Sequence, residues 1–123
     1  MAKSVLIDEM NKVFSEAMAG ALSLLDFVVV GTTSKKSEVV ALAQETKPDL
    51  LIIDFHMLND ETASFSDLKH LKEQLPEMKI IALGYHENFE GVLERFLNVG
   101  FHGYWNKYDD WAGFLKQLGV LFP

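Results

Sequence analysis

The sequence of 123 residues contains no cysteine. This absence excludes disulfide bonds, thiolate metal sites and cysteine nucleophiles, and it fits a reducing compartment, so we expect a cytoplasmic protein. Basic residues are also scarce: 11 lysines and arginines face 18 aspartates and glutamates, which gives a formal charge of -7. Such a surface is unsuited to neutralising phosphates, and we expect no nucleic-acid binding.

Long hydrophobic runs are missing as well. No apolar run approaches the ~18 residues that a membrane span needs, and the opening run at 4–7 is cut short by Asp8 and Glu9, unlike a signal peptide. We therefore expect no membrane segment. Hydrophobic residues make up 49% and charged residues 24%, which excludes a disordered chain. The length predicts one domain over residues 1–123.

The apolar residues form short continuous runs at intervals along the chain. Each run has three or four residues, mostly with branched side chains, which is typical of parallel strands buried on both faces. The runs cover residues 5–7, 27–30, 50–53, 80–83 and, more weakly, 103–105.

Between these runs, apolar residues recur at spacings of three or four, which predicts helices with one apolar face. The five helical segments contain Val13, Phe14, Ala17, Met18, Ala21, Leu22 and Leu25; Val39, Leu42 and Ala43; Leu68, Leu71 and Leu75; Phe89, Val92, Leu93, Phe96 and Leu97; and Trp111, Phe114, Leu115 and Leu118. Five alternating strands and helices are too few to close a barrel. We predict an α/β fold with an open parallel sheet between two helix layers.

In such sheets the ligand lies beyond the carboxyl ends of the strands. Asp8 and Glu9 follow the first strand, Asp54 the third, and Lys107 the fifth. If the first and third strands are neighbours, ~4.8 Å apart, their carboxylates crowd together and repel one another unless a cation joins them. Mg²⁺ prefers oxygen ligands and leaves room for a phosphoryl oxygen, and Lys107 adds a second positive charge.

A plainer interpretation stays open for each acidic residue, because carboxylates after strands often only solvate or cap loops. Four charged residues at matching strand ends favour a site. Nucleotide and flavin binding are disfavoured, because no glycine-rich phosphate loop follows the first strand and Asp8 and Glu9 would repel a phosphate there.

Three segments of the sequence resemble the signature segments of response-regulator receiver domains from two-component signalling. They are residues 5–9 (Val-Leu-Ile-Asp-Glu), residues 48–57 (Pro-Asp-Leu-Leu-Ile-Ile-Asp-Phe-His-Met) and residues 100–107 (Gly-Phe-His-Gly-Tyr-Trp-Asn-Lys). The likeness spans nearly the whole chain. It implies a CheY-like (βα)5 fold, related to flavodoxin, with strand order 2-1-3-4-5.

The resemblance also implies roles for individual residues. Asp54 would accept a phosphoryl group from a histidine kinase or a histidine phosphotransfer protein. Asp8 and Glu9 would hold Mg²⁺ together with Asp54 and the backbone carbonyl of His56, and Lys107 would pair with the phosphoryl oxygens. The metal and the ammonium would reduce the repulsion between a carboxylate nucleophile and a phosphate.

Tyr104 matches the aromatic residue whose rotamer reports phosphorylation. By this likeness a downstream protein would bind the outer face of the fourth helical segment, the fifth strand and the fifth helical segment, and a homodimer through these helices stays open. Gly84 departs from the family, which places a serine or threonine there whose hydroxyl binds the phosphoryl group and links to Tyr104. Tyr85 stands where a small residue is usual.

His56 and His86 occupy positions that in the family face the attacking water and tune self-dephosphorylation; a merely structural role stays open for both. The leading hypothesis is a phosphorylation-driven switch that catalyses only its own phosphorylation and dephosphorylation. About one helix follows Lys107, so we expect a receiver alone, unless the chain is part of a longer protein with an output domain.

Two other functions are open. A pseudo-receiver would act as a phosphorylation-independent protein-interaction module. Gly84 and Tyr85 favour it, and four intact site residues oppose it: Asp8, Glu9, Asp54 and Lys107. A Mg²⁺-dependent phosphohydrolase would need a second aspartate two residues after the nucleophile, where this chain has His56.

Overall fold

The computed structural model describes residues 2–54, 65–84, 100–107 and 109–123. Its elements are β1 (Lys3–Asp8), α1 (Lys12–Leu24), β2 (Phe27–Thr33), α2 (Lys36–Thr46), β3 (Leu50–Asp54), α3 (Phe65–Gln74), β4 (Lys79–Gly84), β5 (Gly103–Asn106) and α4 (Trp111–Leu121). The fifth predicted helical segment is α4. The fourth, at 89–97, lies outside the described residues.

The five strands form one parallel sheet in the order β2-β1-β3-β4-β5. This confirms the parallel sheet and the strand order implied by the resemblance. Strand order reverses between β1 and β3, where Asp8 lies opposite Ile53. Because Asp54 lies opposite Leu83, the carboxyl ends of β1, β3 and β4 are nearly level, and residues that follow them meet at one edge.

Two hydrophobic cores lie on opposite faces of the sheet, because successive strand residues point to opposite sides. On one face, strand residues such as Leu6, Leu51 and Ile53 pack with residues from α2 and α3. On the other, Val5, Ile7 and Ile52 pack with residues from α1 and α4. The helices therefore form a layer on each side, as predicted. No helix in the described ranges has the length and apolar character needed to cross a bilayer.

The prediction that every strand is buried on both faces is wrong for the edge strands β2 and β5, and three of the four residues of β5 are only half-buried. Val28 is 52% exposed, and most other residues of β2 are only half-buried. The reason is that β2 lies at the edge of the sheet, where the helix layers end. The pairing of β1 with β2 also shifts between Val5 and Leu6, whose partners are Val29 and Gly31. A Cβ atom on Gly31 would lie 3.1 Å from Leu6 Cδ1, which explains a glycine there.

At the amino ends of β1 and β3, Ser4 and Asp49 bind each other reciprocally. The Ser4 N–H donates to Asp49 Oδ2 at 2.8 Å, and the Ser4 hydroxyl donates to the same oxygen at 3.2 Å. The Asp49 N–H in turn donates to Ser4 Oγ at 3.0 Å. These three bonds fix the register of β1 against β3 at the end of the sheet opposite to Asp8 and Asp54.

His102 extends the pairing of β4 and β5 with its side chain. Its N–H donates to the Ile80 carbonyl at 2.8 Å, and its Nδ1 accepts the Ile80 N–H at 3.1 Å. Only a neutral imidazole has a nitrogen that accepts. Partial burial, with the nearby charges of Lys72 and Lys79, lowers the pKa of His102 below its ordinary value of 6.5.

We therefore predict that acidification weakens the fold through His102. Because the folded protein disfavours the protonated ring, this contribution to the free energy of unfolding is complete above the ordinary pKa and is lost as the pH falls through the lowered one. The loss should be below about 1 kcal/mol, the net value of one hydrogen bond, because the His102 side chain is largely exposed and solvent screens its charge. Urea unfolding at about pH 8 and about pH 5 measures it.

The control variant is His102→Asn, whose side-chain oxygen accepts a hydrogen bond at a similar position but does not titrate. Groups other than His102 titrate in both proteins, so their effects on stability cancel when the wild type is compared with the variant. The wild type should lose more stability than the variant over this pH range, and equal losses in the two proteins would contradict the prediction.

Candidate functional site

Three predicted site residues from distant parts of the chain meet at the carboxyl edge of the sheet. Lys107 Nζ lies 2.6 Å from Glu9 Oε1 and 3.3 Å from Asp54 Oδ2. Asp8, the last residue of β1, is fully buried, and Glu9 and Asp54 are each 1% exposed. The structure thus brings together Glu9 after β1, the aspartate that ends β3 and the lysine after β5, and it buries Asp8 at the end of β1.

The loop between β1 and α1 holds the carboxylates with backbone groups. The Glu9 N–H donates to the Thr33 carbonyl at 3.0 Å, which fixes the loop to the end of β2. Glu9 Oε1 accepts the Asn11 N–H at 3.1 Å, and Asp54 Oδ2 accepts the Met10 N–H at 3.4 Å. Each acid therefore has a hydrogen bond from this loop as well as its contact with the ammonium group.

Lys107 is positioned by its own backbone. Its N–H donates to the Gly84 carbonyl at 2.7 Å, which continues the pairing of β4 with β5 beyond Asn106. The side chain is 10% exposed, and Nζ lies 5.0 Å from the centre of the Phe14 ring. The ammonium is therefore held between two carboxylates and an aromatic ring.

The charges at this edge are unbalanced. Three carboxylates and one ammonium give a formal charge of -2 when all are ionised. Burial, followed by the hydrogen bond to Asp54, raises the pKa of Glu9 from 4.5 to about 7, although Lys107 and the Asn11 N–H act in the opposite direction. Without another cation, the carboxyl group of Glu9 is therefore partly protonated near neutral pH.

The donor atoms fit a hard divalent cation. They are carboxylate oxygens, which Mg²⁺ prefers, and Glu9 Oε2 is buried with no hydrogen-bond partner among the described residues. Within that part of the chain, no three acidic, histidine or cysteine side chains are arranged as a ligand set. The ammonium of Lys107 contacts Glu9 and Asp54, and these are the same two carboxylates that a bound cation would share. The backbone carbonyl of His56 lies outside the described residues.

The two predicted switch residues lie on β4 and β5. Gly84 is buried at the end of β4 and lies opposite Asn106. The Tyr104 ring is half-buried and packs against the core on the α2 and α3 face. Its carbonyl accepts a hydrogen bond from Gln117 Nε2 at 2.8 Å, which connects β5 to α4. The two other pocket positions, Tyr85 and His86, lie outside the described residues, as does the side chain of His56.

Sequence reasoning missed two residues at the site. Phe14 was predicted only as part of an apolar helix face, and Asn11 received no role. Asn11 Oδ1 accepts the Phe14 N–H at 3.1 Å and so caps α1. An asparagine directly before an amphipathic segment is a recognisable capping signal. The contact of Phe14 with Lys107 has no such local signal.

Comparison with known proteins gives a consistent result. The family model described as the response regulator receiver domain matches residues 5–116. The probable C4-dicarboxylate response regulator DctR of Halalkalibacterium halodurans is 32% identical over 78 residues, which are 63% of this chain and 30% of that protein. The match therefore spans less than a third of that relative's length.

Solved structures share the fold at low sequence identity. The DNA-binding response regulator of the LuxR family from Staphylococcus aureus has a TM-score of 0.82 at 18% identity, covering 97% of this chain and 98% of that one. The chemotaxis protein CheY4 of Vibrio cholerae has a TM-score of 0.80 at 21% identity, with coverage of 99% and 100%. At these identities the likeness concerns the fold alone.

We predict that Mg²⁺ binding at this edge depends on pH through Glu9. Because the carboxyl group of Glu9 has a pKa of about 7 without metal, a cation must displace its proton at lower pH. The apparent dissociation constant should rise about tenfold for each pH unit below that value and level off above it. Magnesium titrations followed by Trp105 fluorescence or by melting temperature measure this dependence.

Glu9→Gln is the control, because it keeps the shape of the side chain and removes its titration. The variant should bind Mg²⁺ more weakly and with a flatter pH dependence. A dissociation constant that is the same at about pH 6 and about pH 8 in the wild type would contradict a role for Glu9 in the site.

Proposed function

The chain belongs to the response regulator receiver domain family, and from this premise we propose that it is a phosphorylation-controlled switch whose acceptor is Asp54. Receiver domains act in two-component systems as signalling proteins, and response regulators partner with histidine kinases. The observation that carries the proposal is the position of Lys107 Nζ, which contacts Asp54 and Glu9 at the end of the sheet.

In the proposed reaction, a carboxylate oxygen of Asp54 attacks the phosphorus of a phosphohistidine on the kinase or phosphotransfer partner. The N–P bond of the donor breaks as the O–P bond of an acyl phosphate forms, and the donor imidazole keeps the electron pair. Asp54 ends the central strand β3, where its backbone lies opposite Leu83 of β4, and its side chain is 1% exposed. Positioning of this kind is a large part of phosphoryl-transfer catalysis.

Receiver domains generally bind Mg²⁺ for phosphorylation. In this chain Asp8, Glu9 and Asp54, with the backbone carbonyl of His56, are the residues that would hold the ion. Its chemistry there would be to neutralise negative charge on the transferring group. Three buried carboxylates with one ammonium support this assignment, because the +2 charge of a divalent ion would balance their formal charge of -2.

Lys107 has two roles in this proposal. In the unphosphorylated protein its ammonium reduces the repulsion between Glu9 and Asp54. After transfer, the same group pairs with the phosphoryl oxygens on Asp54, since Nζ already lies within 3.3 Å of the acceptor side chain. An ammonium donates in three directions, so it is suited to exchange one oxygen partner for another.

We further propose that residues 1–123 act as one domain in the cytoplasm and pass the signal on through β5 and α4. Tyr104 lies on β5, and the Gln117 hydrogen bond to its carbonyl connects it to α4. A displacement of β5 on phosphorylation would therefore reach α4, where a downstream protein would bind. The charge of -7 favours a protein target over a nucleic acid.

We predict that acetyl phosphate with Mg²⁺ adds one phosphoryl group to the protein at Asp54. Intact-mass spectrometry should show a single addition that is lost at alkaline pH, as expected for an acyl phosphate. Asp54→Asn should abolish the addition because an amide is not a nucleophile here, and Asp109→Asn, at an exposed aspartate near Lys107, should leave it unchanged.

Labelling that persists in Asp54→Asn would refute the acceptor assignment. A wild type that takes no phosphoryl group from acetyl phosphate or from any histidine kinase would instead favour a phosphorylation-independent interaction module on the same fold.

The glycine at the end of β4 supports a further expectation about the strength of the switch. Gly84 offers a backbone carbonyl to Lys107 but no hydroxyl to a phosphoryl group. A ligand shifts a two-state equilibrium only by its differential affinity for the two states. Without the hydroxyl contact, phosphorylation should be slow from small donors and should change Tyr104 only weakly.

We therefore predict that Gly84→Thr/Tyr85→Ala is labelled about tenfold faster than the wild type, since a hydrogen bond to a charged group contributes about 1.5–3 kcal/mol. Gly84→Ala/Tyr85→Ala is the control, because it adds the Cβ atom without the hydroxyl. Amide shifts around Tyr104 on addition of beryllofluoride should also be larger in the threonine variant. Equal rates and shifts in the wild type and both variants would show that Gly84 does not weaken the switch.

A further inference from the structure

The Phe14 ring is the third partner of the Lys107 ammonium, besides two carboxylates. Nζ lies 5.0 Å from the ring centre, within the ~6 Å range of cation–π contacts. We propose that Phe14 is a positioning residue, whose ring face holds the Lys107 ammonium at Glu9 and Asp54. The proposal rests on the proposed function, because it assigns Phe14 to phosphoryl transfer through Lys107.

A closed set of contacts connects Phe14 to the acid that Lys107 binds. Glu9 Oε1 accepts both the Lys107 ammonium and the Asn11 N–H. Asn11 Oδ1 then accepts the Phe14 N–H at the first turn of α1. The position of the Phe14 backbone is thus fixed relative to the same carboxylate oxygen that binds the ammonium.

The Phe14 ring also packs against an aromatic cluster. The ring centre of Trp105 lies 6.3 Å from that of Phe14, with a tilt of 31°. Trp105 in turn packs against Trp111 at 5.6 Å and Phe114 at 5.1 Å, and its indole N–H donates to the Asp110 carbonyl. Packing against this cluster limits how far the Phe14 ring can move away from the ammonium.

A neutral ring suits this position for a chemical reason. The ring attracts the ammonium through its quadrupole but has no oxygen that would compete with a phosphoryl group for the N–H donors of Lys107. It also excludes water from one side of the ammonium, which strengthens the remaining electrostatic contacts. A third carboxylate there would instead hold the ammonium more tightly and keep it from the phosphoryl oxygens.

The experiment compares Phe14→Leu with Phe14→Tyr. Leucine keeps an apolar side chain of similar size but has no ring, whereas tyrosine keeps the ring. With acetyl phosphate at saturating Mg²⁺, Phe14→Leu should be labelled about tenfold more slowly than the wild type. Phe14→Tyr should be labelled at a rate within about twofold of the wild type, and the affinity for Mg²⁺ should change little in either variant.

Phe122→Leu is the matched control. Phe122 has the same kind of surroundings, because its ring centre lies 5.6 Å from that of Phe27 and 5.9 Å from Lys3 Nζ. It follows α4, away from the carboxyl edge of the sheet. The same substitution there should leave the labelling rate unchanged.

A second measurement tests the contact without phosphorylation. The ε-methylene protons of Lys107 should show an upfield ring-current shift by NMR in the wild type and in Phe14→Tyr, and should lose it in Phe14→Leu. The ring-current shift in the wild type tests the contact even if Phe14→Leu does not fold.

The outcomes separate this proposal from the proposed function. A wild type that takes no phosphoryl group refutes the proposed function and, with it, the role of Phe14 in transfer, whatever the ring-current shift shows. A wild type that is labelled but shows no ring-current shift overturns the proposal for Phe14 alone. So does equal slowing in Phe14→Leu and Phe14→Tyr, or equal slowing in Phe14→Leu and Phe122→Leu, since either result would indicate a general loss of packing.

Discussion

The ammonium group of Lys107 lies between two carboxylates that would repel each other across the end of the sheet. It contacts Glu9 after β1 and Asp54 at the end of β3, while its backbone is bound to Gly84 at the end of β4. Buried carboxylates are costly without a compensating charge or proton. Four strands of the sheet therefore contribute to one electrostatic balance, so the site and the fold depend on each other.

The charges at the site are not fully balanced, and the remaining negative charge favours the binding of a cation. One lysine does not neutralise three acids, so the protein leaves a deficit of positive charge that a proton on Glu9 partly relieves. A fully neutralised site would have no electrostatic reason to bind a cation or to respond to a new phosphoryl group. The aromatic contact at Phe14 and the carbonyl of Gly84 hold Lys107 in place without reducing this deficit.

Local patterns were enough to predict most of the fold and the acidic edge. Continuous apolar runs and helical spacing depend on neighbouring residues in the sequence. An acidic residue at the end of a strand can be recognised once the strand itself is predicted. The exposure of β2 depends on the strand order. The family resemblance implied that order, whereas the periodicity of the apolar runs carries no information about which strand lies at an edge. Phe14 and His102 were missed for a related reason: their partners, an ammonium just after β5 and a backbone group on β4, are adjacent only in the folded chain.

The reciprocal hydrogen bonds of Ser4 and Asp49 affect the site at the opposite end of the sheet. They join β1 and β3 at the end remote from the acids. The register that they fix determines where Asp8 and Asp54 lie relative to each other at the carboxyl ends of the two strands. A slip of one residue would move one acid by about 3.3 Å, more than the 2.6 Å that separates Lys107 from Glu9. The sheet thus works as a rigid spacer: the hydrogen bonds of Ser4 at its amino end limit how far the acids at its carboxyl end can be displaced.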